Sequence, residues 1–241
     1  MPKPLERIEE SRRALLVWAL AGGVFTGTAL LAGTRASAQP LGKVPGRLPP
    51  GQSFYDLRGT VKINGQAAHR DTRVGPNDIV ETGKGSQAIF VVGTEALLLR
   101  EQTRLEMKGA GVFISQMRVL TGAMLAVFGK GQRTVTGPTS TIGIRGTGLY
   151  VEAQPEVTYV CTCYGTTDIS ASDDPKASEQ VTSVHHDAAR YVLAVPDKGR
   201  RIVPAPFKNH SDLELMLVES LVGRVPPFSL FDETYGGPRR Y

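Results

Sequence analysis

A chain of 241 residues, 41% of them apolar, is long enough to bury a core and too apolar to be disordered throughout. Its 27 glycines and 16 prolines favour short strands and turns over long helices. The formal charge is +5, but five of 28 basic and three of 23 acidic groups precede residue 39, so no basic face for nucleic acid remains, and two cysteines exclude a disulfide framework.

The first segment reads as an address. Residues 1–13 are polar and end in Ser11-Arg12-Arg13, an uncharged and mostly apolar run covers residues 14–33, and Arg35 precedes Ala36-Ser37-Ala38. A charged start, an apolar middle and small residues at Ala36 and Ala38 form an export signal cleaved near Gln39. The Arg12-Arg13 pair before Ala-Leu-Leu resembles the twin-arginine signal, and the mild hydrophobicity of a run containing Gly22, Gly23 and Gly27 suits that route. The expected location is the periplasm. The rival is an uncleaved inner-membrane anchor, because the run is about long enough to span a bilayer.

Residues 39–53 carry Pro40, Pro45, Pro49 and Pro50 and read as a linker. Strand signals follow: residues 57–63 before the hairpin pair Asn64-Gly65, then residues 79–82, 86–92, 96–99, 103–107, 119–120, 123–128 and 133–136, with glycine turns between them. The predicted fold is mainly β, a compact sandwich or short β-solenoid of short strands with one C-terminal helix.

The stretches Val61-Lys62-Ile63-Asn64-Gly65, Asp78-Ile79-Val80-Glu81-Thr82-Gly83, Gly85-Ser86-Gln87-Ala88 and Thr141-Ile142-Gly143-Ile144-Arg145-Gly146-Thr147-Gly148 resemble the FecR-domain family in order and spacing. The resemblance covers residues 54–153 and implies a periplasmic module that binds or senses a partner. FecR proteins also carry a cytoplasmic segment that controls a sigma factor, and the thirteen residues before the apolar run are too few to fold into one. Gly143, Arg145, Gly146 and Thr147 form the most telling element. It lacks the Lys-Ser/Thr of a phosphate loop, so a structural role is expected, with Arg145 bridging strands.

The C-terminal extension, residues 154–228, holds the chemistry. Residues 158–165 read as a strand ending in a turn, which puts Cys161 and Cys163 on one face with Cα atoms about 6.6 Å apart, at the limit of disulfide geometry. Two thiols on one face suit a soft metal, zinc or iron, with His185, His186 and His210 as further candidate ligands. Neighbouring histidines in regular structure point different ways, so only one of His185 and His186 should bind unless the segment is a turn. Residues 170–180 read as a loop. Ser211-Asp212-Leu213-Glu214 is a capping box that opens a helix over residues 212–222, with Leu213, Met216, Leu217 and Leu221 on its inner face. Residues 229–241 read as a tail.

No Ser-His-Asp set, H-E-x-x-H or nucleotide loop occurs, so the chain reads as a non-enzyme: a binding module for an envelope protein or small ligand. The alternatives are a metal- or thiol-dependent periplasmic enzyme and a membrane-anchored envelope scaffold.

Overall fold

Residues 45–228 are described in a computed structural model. The signal residues Arg12, Arg13, Ala36 and Ala38 and the expected tail at 229–241 lie outside them. The described strands are β1 (Phe54–Arg58), β2 (Val61–Ile63), β3 (Gln66–Ala67), β4 (Ile79–Thr82), β5 (Gln87–Val92), β6 (Glu95–Leu99) and β7 (Arg104–Ala110). They continue with β8 (Phe113–Val127), β9 (Gln132–Thr136), β10 (Ser140–Gln154), β11 (Val157–Ala171), β12 (Ser178–Ser183), β13 (Arg190–Asp197) and β14 (Arg200–Pro204). Helix α1 (Asp212–Leu221) follows. The strands join in one 14-stranded sheet, so among the described residues the mainly β expectation with a single C-terminal helix holds.

The motif residues that carry the family resemblance act as staples. Asn64 and Gly65 take φ of 51° and 81°, the mirror-image turn that joins β2 to β3 in two residues. The Asn64 amide donates to Asp78 Oδ1 (2.8 Å) and its oxygen accepts from Ile79 N (2.9 Å), which fixes that hairpin to the start of β4. Ser86 Oγ accepts from Thr60 N at 2.9 Å, and Thr82 Oγ1 accepts from Thr103 N at 2.9 Å.

Three strands reach 15 residues, longer than the sequence suggested. Each changes partners midway, beside a glycine with positive φ: Gly122 (76°) in β8, Gly146 (61°) in β10 and Gly165 (85°) in β11. β8 pairs with β7 up to Thr121 and then with β6 and β10. β10 runs against β9 and then β8. β11 runs against β13 and then β12, a strand that falls partly in the expected loop at 170–180. These glycines are hinges within strands and not turns, because an extra residue with positive φ bends a strand without ending it. The β10–β11 hairpin also crosses residue 154, so the sheet runs unbroken from the FecR-like stretch into the extension.

The sheet buries both faces where α1 lies over it. Along β6, Leu97 and Leu99 enter an inner core while Ala96 and Leu98 enter an outer one beneath the helix. In β8, Met124 and Ala126 point inward, and Leu125 and Val127 outward. This explains the continuous apolar runs at 96–99 and 123–128, since a strand covered on both sides has no polar face. The helix itself presents Leu215, Leu217, Val218 and Leu221, whereas Leu213 and Met216 are only half-buried. The expected inner face is thus rotated. Glu214 turns inward to meet Arg100 (2.7 Å), and Glu219 turns inward to accept from Tyr164 and from Arg224 Nε (2.7 Å). Residues 47–53, read as a linker, are docked: Leu48 N donates to Leu221 O at 2.9 Å and its side chain joins the outer core.

Arg145 is exposed and does not form the expected buried bridge. Its neighbours carry the structural role, with Gly146 at positive φ and Thr147 fully buried. Among the described residues no helix is long and apolar enough to cross a membrane.

Candidate metal centre

Cys161 and Cys163 sit in the first half of β11, where alternation sends both side chains, with Tyr159, to the outer core under the C-terminal segment. Neither is in a disulfide and both are fully buried. The shared face expected from their spacing is present.

His186 arrives from the turn after β12. Asp187 Oδ2 accepts from the amides of Val184 and His185 (both 3.1 Å), and its own N donates to Ser183 Oγ at 3.0 Å. His186 N donates to Cys163 O at 2.9 Å, and its φ of 55° swings the ring back over β11. Left-handed backbone at a non-glycine residue persists only where the surroundings impose it.

His210 arrives just ahead of α1, after Asn209 with φ of 62°. Glu152 of β10 places this segment, taking Lys208 Nζ at 2.8 Å and Asn209 Nδ2 at 2.7 Å. Burial works against the Glu152 carboxylate, but the Lys208 ammonium and Asn209 amide outweigh it and hold its pKa below the ordinary value. The His210 ring stacks on Tyr150, centroids 4.4 Å apart.

The hydrogen-bond partners assign the ring protons. His210 Nδ1 donates to Lys208 O (2.8 Å) and His186 Nε2 donates to Asp212 Oδ1 (3.0 Å). Nε2 of His210 and Nδ1 of His186 are left facing each other at 3.1 Å. Cys161 Sγ lies 3.6 Å from His186 Nδ1, Cys163 Sγ lies 3.4 Å from His210 Nε2, and all four donor atoms fall within 4.8 Å of one another. A tetrahedral ion with metal–sulfur bonds of about 2.3 Å and metal–nitrogen bonds of about 2.0–2.1 Å has sulfur–nitrogen edges of about 3.5 Å and a nitrogen–nitrogen edge of about 3.3 Å. Three of the six edges, at 3.6, 3.4 and 3.1 Å, already hold those spacings, and the others lie within 4.8 Å.

Such a cluster can share a cation. The hydrogen bond from Cys163 holds the Cys161 pKa well below the usual thiol value, and burial together with that same bond pushes Cys163 up. Burial opposes charge on His186, but Asp212 and Cys161 outweigh it and raise its pKa to about 9. A proton can therefore be shared among these atoms. This buried Cys/His cluster can hold a metal.

His185 does not join the four. Its Nε2 lies 2.8 Å from Asp212 Oδ1, so it shares the carboxylate that orients His186. Only one of the neighbouring histidines reaches the centre, although they lie in a turn, where the argument from regular structure does not apply. Asp212, Glu152 and Tyr150 were not singled out as site residues. Asp212 was legible only as the first residue of a capped helix, and the capping signal explained it fully without a site.

No family model matches the chain, and no curated protein matches it. Two crystal structures of a putative anti-sigma factor from Parabacteroides distasonis are similar in part, at 11% identity and a TM-score of 0.42. The match covers 53% of this chain and 58% of that one, little more than half of either.

Proposed function

We propose that this chain is an exported, periplasmic binding module of the FecR-domain type, braced in its C-terminal half by one structural zinc ion. The observation that carries the zinc reading is the pair of imidazole nitrogens facing at 3.1 Å, each with its other nitrogen engaged, beside two buried cysteine sulfurs. Carboxylate and carbonyl partners on the far ring nitrogens are the usual outer shell of metal-binding histidines. Two sulfurs and two nitrogens at tetrahedral spacing favour zinc over iron. Four protein donors also fill a tetrahedral ion, whereas catalytic zinc keeps a position for water, so a bracing role is favoured over an enzyme's. The module reading is supported by the order of the Asn64-Gly65, Asp78–Gly83 and Gly143–Gly148 elements, and export by Arg12-Arg13 and Ala36-Ser37-Ala38.

Metal analysis of protein recovered from the envelope fraction tests the centre: one zinc per chain is expected, and none in the Cys161→Ser/Cys163→Ser variant. Metal-free native protein would remove the zinc. Replacing Arg12 and Arg13 by lysine in the full-length chain should leave precursor in the cytoplasm, and unchanged export of that variant would remove the twin-arginine route.

A further inference from the structure

Helix α1 begins where the metal centre ends. His210 is followed by the N-cap Ser211 and then by Asp212, the first helical residue. Asp212 Oδ1 accepts from both His185 Nε2 (2.8 Å) and His186 Nε2 (3.0 Å). The helix entry is thus tied to the centre twice, along the chain through His210 and across space through His186. The far end of the helix is held otherwise. There Glu219 accepts from Tyr164 and Arg224, and Leu48 N donates to Leu221 O.

The four donors also differ in how far they can move. Cys161 and Cys163 lie inside β11, where Cys161 pairs with Tyr150 of β10, Cys163 falls at a register shift, and the other edge is free of strand pairing between the β13 and β12 registers. His186 and His210 come from turns, and His186 and Asn209 both carry positive φ, at 55° and 62°. When the shared cation leaves, the two turns have more room to relax than Cys161, which β10 holds in register. Arg100, which reaches Glu214 at 2.7 Å and Asn209 O at 3.0 Å, secures the helix flank without touching the rings.

We infer that Asp212 is a positioning residue that makes the seating of α1 conditional on the metal. With the ion held by His186 and His210, the N-terminal end of α1 is fixed over the sheet. Without it, that end is left to the Arg100 contacts with Glu214 and Asn209 O, opens more readily about the Glu219 end, and uncovers an apolar face that includes Leu98, Leu125 and Tyr150. The inference rests on the zinc reading above. Its consequence is a metal-dependent latch, in which zinc supply sets how much apolar surface the module presents.

Amide hydrogen exchange on the mature protein, isolated with its zinc and compared before and after chelation, reads the latch. Residues 209–216 should lose at least about tenfold in protection while β7 and β8 keep theirs. Asp212→Asn should still bind one zinc, about 10–100-fold more weakly, and exchange faster over the same residues with zinc bound. Cobalt(II) in that variant should keep its tetrahedral thiolate absorption, which separates a positioning role from loss of the centre. Three results overturn the latch and leave the zinc standing: unchanged protection at 209–216 after chelation, loss of β7 and β8 protection in the same step, or wild-type affinity and protection in Asp212→Asn. Native protein without metal overturns the zinc reading itself, and the latch with it.

Discussion

His185 and His186 are adjacent, have the same side chain and are similarly buried at 6% and 3% exposed, yet the backbone gives them different tasks. The φ of 55° at His186 turns its Nδ1 toward Cys161, while His185 faces Asp212 and packs against Phe228, ring centroids 4.2 Å apart. Their contributions should therefore separate cleanly. His186→Ala removes a ligand and should abolish zinc binding at physiological concentrations. His185→Ala removes one hydrogen bond to a carboxylate and should cost about 1–2 kcal/mol while the chain still binds one zinc. Metal content and urea denaturation of the two variants decide this, and full zinc occupancy in His186→Ala would show that the ligand set is wrong. The sequence offers both histidines as ligands, and because they lie in a turn the alternation of regular structure does not choose between them. Which one binds depends on a single dihedral angle that no residue pattern encodes.

Glycine has two uses among these elements, and the sequence does not distinguish them. At Asn64-Gly65 it closes a hairpin, as predicted; at Gly122, Gly146 and Gly165 it marks the places where 15-residue strands exchange partners. A positive φ serves both purposes, and only the pairing of the flanking residues tells them apart. Strand positions were therefore largely legible up to residue 136, whereas strand lengths and the strands β10, β13 and β14 were not. The remaining glycines of the motif are likewise unequal. A methyl group at Gly148 would lie 2.6 Å from Tyr164 Cε1 and 3.1 Å from Leu215 Cδ1, beneath α1, whereas one at Gly143 would meet Asp168 Cβ at an ordinary 3.6 Å. Gly148→Ala should destabilise the fold by about 1–3 kcal/mol, as overpacking of a filled core does. Gly143→Ala should stay within about 0.5 kcal/mol of the parent. Equal denaturation midpoints for the two variants would refute the view that the motif glycine at 148 is there to admit Tyr164 and the helix.

Across the whole molecule, the centre joins three elements that the chain brings in separately: β11 through Cys161 and Cys163, the turn after β12 through His186, and the entry to α1 through His210. The candidate ligands could be read from residue type and from the period of a strand. Their convergence could not, because it depends on where β12 folds back and on Glu152 fixing Lys208 and Asn209. This arrangement makes zinc a cross-link between segments up to 49 residues apart, counted from Cys161 to His210. An ion that binds the folded chain and not the unfolded one adds stability by mass action, about 4.1 kcal/mol at a free concentration 1,000 times the dissociation constant. Denaturation in buffers of fixed free zinc should therefore give a midpoint that climbs with zinc in the parent protein. In the Cys161→Ser/Cys163→Ser variant the midpoint should be flat, and lower than the parent's at saturating zinc. The inner core, which draws on strands from β1 to β13, lies on the other face of the sheet, so the variant should still fold and unfold cooperatively. A parent midpoint that ignores zinc over several decades of concentration would mean that the four donors hold nothing more than a shared proton.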